Sequence, residues 1–397
     1  MNRIIFLLSL ISLSLFSGDK PLKIFILAGQ SNMQGHADVR TIEHVGMDPK
    51  TKPLFEAMTD GKGNTITCEK VWISSVGNDQ SGEEHSGKLT AGYGAMGRGK
   101  KIGPEYTFGI YMQKLLNEPI LIIKTAWGGK SLNTDFRSPG SGQYKYNQTQ
   151  LEQFKNQGKD VAKLSSERAA ASGKYYKMMV DHINHVLSDI KRVYPDYNAK
   201  VGHEIAGFVW FQGWNDMVDR GTYPNRHLPD GYAEYSKLLA QFIRDVRKDF
   251  KTPKMPFVIG VMGVNGPLDK YPKAQQRYKG IHSAFRSGMA APASMPEFKG
   301  NVTAVQTGDY WDMELAELRS RNNKIREFSK KLDKEGKLKG KEKQAAITKF
   351  KASPYTDKEL EIMQKGASNA EFHYMGCAKV LGGIGKAFAE SMKTMLK

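Results

Sequence analysis

A chain of 397 residues is long enough for one large α/β domain or two ordinary ones, and 40% apolar with 25% charged residues is a globular composition, not a disordered or fibrous one. The formal charge of +18 would suit a nucleic-acid partner, but basic and aromatic residues are not interleaved and the N-terminus reads as exported, which argues against nucleic acid. The charge then serves either to draw in an anionic glycan through the field of the whole protein or simply to keep the chain soluble.

Asn2 and Arg3 precede a mostly apolar run over residues 4–16, and Ser17, Gly18 and Asp19 follow it. A positive start, a short apolar segment and small residues make a secretory signal over 1–18. The run falls short of the roughly 20 residues that span a bilayer. One secreted or periplasmic domain is therefore expected over 19–397, with no stable membrane insertion after signal cleavage. Export permits a disulfide, but Cys68 and Cys377 are far apart in sequence, and two isolated thiols are the expectation.

Strands are expected at 22–27, 71–75, 119–125, 205–211, 256–261 and 302–307, where runs of Ile, Val, Leu and Phe suit parallel strands buried on both faces. Helical patterns lie between them at 105–116, 174–194, 232–249 and 276–289, with a terminal one at 377–396. Alternating strand and helix imply an α/β fold: a three-layer α/β/α sandwich around a parallel sheet of about five or six strands, flavodoxin-like in plan. Active groups in such sheets gather at the carboxyl ends of the strands. Two stretches look inserted. Residues 77–101, rich in Gly and Ser, read as a long loop. Residues 312–366 read as a charged helical insertion, which either shapes the cleft or decorates the surface.

The strongest chemical signal follows the first strand, at Gly29-Gln30-Ser31-Asn32-Met33. A serine there, just after a glycine, stands where the chain turns toward a helix. Its hydroxyl is exposed and nearby backbone N–H groups converge, as an acyl-transfer nucleophile requires. Lys124-Thr125-Ala126-Trp127-Gly128-Gly129-Lys130-Ser131 follows the third strand, and its glycines can offer an N–H to an oxyanion. Trp210-Phe211-Gln212-Gly213-Trp214-Asn215-Asp216 closes the fourth, where Gln212 can donate its amide hydrogens. Phe372-His373-Tyr374-Met375-Gly376 leads into the terminal helix and can bring an imidazole back toward the first strand. Singly, these glycines suit turns, the tryptophans a core and the histidine a surface. Four such blocks at strand or helix ends are hard to explain by turns alone. Asp216 reads as structural. His182 and His185 lack ligand partners at metal spacing, so no metal is expected. His36 is a candidate to line the cleft.

The four blocks resemble those of the SGNH hydrolases, in particular the sialate O-acetylesterase-like and carbohydrate esterase family six branch, in family order from Ile24 to about Lys386. Ile102-Gly103-Pro104-Glu105 resembles a further recurring segment. The resemblance implies a cofactor-free serine esterase acting on acetylated carbohydrate. It implies Ser31 as nucleophile, His373 as general base, and an oxyanion hole from the Ser31 and Gly129 N–H groups with the Gln212 side chain. Gln30, Asn32, Trp127 and Trp214 are expected at the substrate, with Trp214 stacking on a sugar face. Two departures stand out. Trp214 replaces the glutamate that many members carry, and Ala370 occupies the position of the aspartate that orients the histidine. Glu371 is the nearest substitute, Asp309 and Asp312 are others, and a Ser-His dyad held by a backbone carbonyl is a further option. Ala370 also leaves open a carbohydrate-binding protein that has lost turnover. An esterase for a non-sugar ester is the other rival.

Overall fold

The computed structural model describes residues 20–79, 82–336, 338–351 and 355–396; the expected signal segment 1–18 lies outside them. All six expected strands form, and one more joins them in the same sheet. They are β1 (Leu22–Gly29), β2 (Val71–Val76), β3 (His85–Lys88), β4 (Ile120–Ala126), β5 (His203–Phe211), β6 (Phe257–Val261) and β7 (Val302–Gln306). They make a single sheet in the order β3-β2-β4-β1-β5-β6-β7. Every pair is parallel except β2 with β3. Every residue of β2, β4 and β6 is buried, which is why these strands read as unbroken apolar runs.

Among the described residues, the helices that frame the sheet and the site include α1 (Ser31–Gln34), α2 (Pro104–Leu116), α3 (Lys174–Ser188), α4 (Ala233–Asp249), α5 (Lys279–Ala290), α6 (Met313–Glu335), α7 (Gly340–Phe350), α8 (Asp357–Lys365) and α9 (Ala378–Met395). Alternation along β5 fixes which helix covers which face. Phe208 and Trp210 meet Phe242 of α4 at 5.8 and 4.5 Å between ring centres, and Phe211 meets Phe388 of α9 at 5.5 Å. Tyr176 of α3 shares the α4 side, 5.5 Å from Phe242, whereas α2 packs along α9 on the opposite side. The expected three-layer sandwich is therefore present.

The sheet has seven strands instead of five or six because β3 lies inside the stretch expected as a loop. It pairs with β2 from Trp72 opposite Lys88 to Ser75 opposite His85. An edge strand of sequence His-Ser-Gly-Lys needs no apolar run, so the pattern that marks buried strands cannot reveal it. The helix expected over 174–194 stops at Ser188 and continues as a 3₁₀ turn, Ile190–Arg192. The charged stretch folds as α6, α7 and α8. Thr356 and Glu359 close a reciprocal capping box at the start of α8. Cys68 and Cys377 are both unbridged. Among the described residues no helix is long and apolar enough to cross a membrane.

Candidate active site

The turn after β1 is built by close backbone approach. A Cβ placed on Gly29 would lie 2.2 Å from the Phe211 carbonyl oxygen, so only glycine lets β1 end this close to β5. Trp127 N–H donates to the Gly29 carbonyl at 3.2 Å, which ties in the end of β4 as well. Ser31 then opens the four-residue helix α1, 7% exposed, with Gln30 Nε2 3.4 Å from its Oγ. As a first-turn residue its N–H has no intrahelical acceptor. Neither it nor the Gly129 N–H meets any acceptor among the described residues. A Cβ on Gly128 would lie 3.9 Å from Ser31 Cβ, so the paired glycines pass directly beside the serine. Gly129, at φ +72°, faces open space.

Beneath α1 lies a buried ion pair. Lys124 is fully buried, and its Nζ donates to Glu105 Oε2, the Gln34 carbonyl and the Tyr93 carbonyl, each at 2.8 Å. Glu105 Oε1 accepts from the Gly103 N–H at 2.8 Å. Burial pushes the lysine pKa down while Glu105 pulls it up. The pair thus fastens the end of α1 to the start of α2, where Gly35 and Gly103 approach so closely that a Cβ on Gly35 would lie 2.0 Å from the Gly103 Cα. These two residues were not singled out from sequence. The signal was present in a lone lysine within the apolar strand Ile-Leu-Ile-Ile-Lys-Thr-Ala, which must find a partner if buried.

Three of the expected substrate residues are largely buried, as Ser31 itself is. Gln30 is 1% exposed, and its Oε1 accepts from Gly213 N–H at 3.1 Å and Gln212 Nε2 at 3.2 Å. Trp127 is 7% exposed and packs on Phe136 and Tyr175. Asn32 is 3% exposed, but its Oδ1 has no hydrogen-bond partner. Gln212 requires a correction. Its amide nitrogen lies 2.6 Å from Asp216 Oδ2, 3.0 Å from the Lys130 carbonyl and 3.2 Å from Gln30 Oε1. Two amide hydrogens facing three protein acceptors leave none for an oxyanion. Asp216, fully buried, also accepts from the Leu132 and Asn133 N–H groups at 2.7 and 2.9 Å. Burial raises its pKa to about 6, against the hydrogen bonds that favour its charge. It is a structural hub joining the ends of β4 and β5.

His373 lies in a 3₁₀ segment, Glu371–Gly376, that packs on α1. Tyr374 and Met375 take left-handed φ values of 53° and 61° there, strain that a non-glycine residue adopts only when its surroundings impose it. His373 Nδ1 is 3.0 Å from Asn369 Oδ1, and the same oxygen accepts the Ala370 N–H at 2.7 Å. That second bond identifies the atom as the amide oxygen. Nδ1 therefore carries the hydrogen and Nε2 a bare lone pair. The His36 ring stacks on His373 at 3.8 Å, parallel to within 1°, and the Phe372 ring meets it at 4.4 Å. Burial, followed by the charge of Lys101, lowers the His373 pKa to about 4. Burial, then His373 and Lys101, takes His36 to about 3.

None of the expected carboxylates orients the imidazole. Glu371 Oε1 accepts from Arg319 Nη2 and Nε at 2.9 and 3.1 Å. Arg319 Nη2 also donates to the Asn369 carbonyl at 3.1 Å, so Glu371 and Arg319 brace the turn that carries Asn369. Asp312 caps α6 through the Leu315 N–H at 3.0 Å and pairs with His44 Nε2 at 2.7 Å and Lys379 at 3.1 Å. Burial opposes its charge, yet His44, the Leu315 N–H and Lys379 hold its pKa down at about 2. Trp214, half-buried, stands 5.7 Å from the ring of Phe372, which is 41% exposed.

Residues 21–287 match the family model described as carbohydrate esterase, sialic acid-specific acetylesterase. No curated protein matches. Among solved structures, a protein from Arabidopsis thaliana is similar at 17% identity and a TM-score of 0.40, covering 72% of this chain and 86% of its own. A carbohydrate acetylesterase from Xanthomonas citri is similar at 13% identity and a TM-score of 0.37, covering 71% of this chain and 49% of that one.

Proposed function

The chain belongs to the family of carbohydrate esterases described as sialic acid-specific acetylesterases, and from that premise we propose that Ser31 and His373 carry out its deacetylation by two-step acyl transfer. Ser31 Oγ attacks the acetyl carbonyl carbon while His373 Nε2 takes the hydroxyl proton. The tetrahedral oxyanion rests on the Ser31 and Gly129 N–H groups. Collapse of the intermediate expels the sugar oxygen, which takes the proton from Nε2 and leaves acetyl-Ser31. Water, deprotonated by the same nitrogen, then attacks the acyl carbon and releases acetate. Asn369 holds the tautomer, as an aspartate does in a Ser-His-Asp triad and as an asparagine does in papain-like proteases.

The observation that carries this reading is the Asn369 bond to His373 Nδ1, which leaves Nε2 bare on a segment packed against α1. The experiment is covalent. A serine-reactive organophosphonate should label Ser31, and Ser31→Ala should lose both labelling and acetate release while unfolding at the same urea concentration. Labelling at another serine, or acetate release by the alanine variant, removes the assignment. We also propose export, on the strength of Asn2, Arg3 and the apolar run 4–16. N-terminal sequencing of the protein from the culture medium or periplasm should begin near residue 19.

A further inference from the structure

The positive charge of the chain is concentrated in one stretch. Between residues 319 and 351, thirteen lysines and arginines stand against four carboxylates, so 33 residues carry half of the +18 excess. They form most of α6 and all of α7. The two helices are held together by the Phe328–Phe350 ring stack at 4.1 Å and the Lys343–Asp333 ion pair. The stretch lies outside the family match over 21–287 and adds no strand to the sheet.

Some of these cations serve the fold. Arg319, Arg321, Lys331 and Lys343 pair with Glu371, Glu359, Glu335 and Asp333. Arg326, Lys330 and Lys334 are exposed, and among the described residues no carboxylate pairs with them. Their i, i+4, i+8 spacing sets them in one row about 12 Å long on a single face of α6. Like charges at that spacing repel, and mixed signs would keep the helix soluble without the repulsion. Solubility accounts for the number of charges but not for their alignment. Arg319 stands seven residues before Arg326 on the same face, and it donates to the Asn369 carbonyl. The row therefore starts about 10 Å along the helix from the turn that carries His373. Lys339 and Lys341, exposed at the start of α7, add to the same end of α6.

The surroundings of the row select its partner. Leu318, Ile325 and Leu332, the apolar side of α6, are buried in the fold, so α6 has no apolar face left to enter a bilayer. Phe328 is stacked on Phe350 and is not presented between the cations as a platform for a base. Lysines outnumber arginine here, and an ammonium is a compact, strongly hydrated charge without the planar fork that grips phosphate or sulfate. A polymer with hydrated carboxylates repeated along its length matches such a row. We propose that the Arg326–Lys330–Lys334 face of α6 docks a uronate-bearing polysaccharide. It is a retention surface beside the catalytic end of the sheet: the polymer needs no acetyl group, and its binding is independent of which residues perform the acyl transfer.

Two triple variants of the full chain make the test. One combines Arg326→Glu, Lys330→Glu and Lys334→Glu. The other combines Lys254→Glu, Lys299→Glu and Lys393→Glu, three exposed lysines at the amino ends of the strands, and changes the net charge by the same amount. Affinity electrophoresis in non-acetylated polygalacturonate at low salt should show binding by the wild type. The row variant should bind about tenfold more weakly or worse, and the control variant should stay within about threefold of wild type. Molar salt should abolish the binding, because screening then acts over only about 3 Å. Both variants should hydrolyse an aryl acetate at the wild-type rate, which shows that the fold is kept. Equal weakening in the two triples would assign the binding to net charge and overturn the proposal. So would tighter wild-type binding of dextran sulfate, duplex DNA or phosphatidylglycerol vesicles at equal charge concentration, or no binding of polygalacturonate at low salt.

Discussion

The serine and the histidine of this site are held by different kinds of structure. Ser31 is set where strand ends meet: Gly29 against the end of β5 and Trp127 N–H on the Gly29 carbonyl, with the Lys124 side chain locked under the end of α1. His373 is set by side chains: Asn369 at Nδ1, His36 against its face, and Arg319 bracing the turn from a helix of the insertion. A sheet positions its strand ends wherever its order is kept, whereas a side-chain brace depends on each member. Ser31 should therefore tolerate little locally, and His373 should respond in graded steps to changes in its supports.

The largest effect is expected on the serine side. Lys124→Met leaves the Glu105 carboxylate buried without its cation, which costs about 3–5 kcal/mol. Urea unfolding should show that loss, and Lys124→Met with Glu105→Leu should recover much of it. A single variant as stable as wild type would show that the backbone alone suffices to hold α1.

On the histidine side the fold should survive and the rate should suffer. Asn369→Ala frees the imidazole to rotate and to change tautomer, so kcat should fall about 10–100-fold, less than the roughly 10⁴-fold of an aspartate-based triad given the wrong tautomer. KM and the urea midpoint should hardly move. Arg319→Gln acts one step further out, through the Asn369 carbonyl and Glu371. A kcat decrease of only a few-fold is expected, because a braced turn loosens without losing its hydrogen bond to the ring. If both variants match wild type, the ring is positioned by its stack on His36.

The smallest change is in pH dependence. Burial, followed by Lys101, keeps the His373 pKa at about 4, and in its proposed role as general base the imidazole works only when neutral. The kcat/KM profile should therefore rise through about pH 4 and be flat above about pH 5. Asn369→Asp puts a carboxylate at Nδ1, which favours the charged imidazolium, so the acid limb should move upward by about 1–3 pH units. A limb that stays in place would mean that the aspartate is itself protonated or turned away.

The same contrast explains what could be read from the amino acids. Six strands of the sheet, the serine turn and the block carrying His373 follow from apolar runs, glycines and short motifs, all local in sequence. The acid's substitute does not. Asn369 lies four residues before the histidine and reaches it through a turn closed by left-handed Tyr374 and Met375, a conformation that neither residue type advertises. Glu371 looked suitable by proximity, but its partner Arg319 comes from a distant helix. Gln212 pointed to an oxyanion by its place at a strand end, and only the three-dimensional neighbourhood shows Asp216 already waiting for its amide.

β1, which leads to Ser31, is the first strand of the described residues and occupies the middle of the sheet, while His373 belongs to the turn before α9. During synthesis the Ser31 turn is made before most of its neighbours in the sheet, and His373 emerges after all seven strands. A chain that stops before His373 would therefore carry Ser31 without its proposed base. Packing of the Glu371–Gly376 segment on α1 is what brings the two residues to one site. On the proposed assignment, hydrolysis thus doubles as a report that the segment carrying His373 has been made and docked on α1.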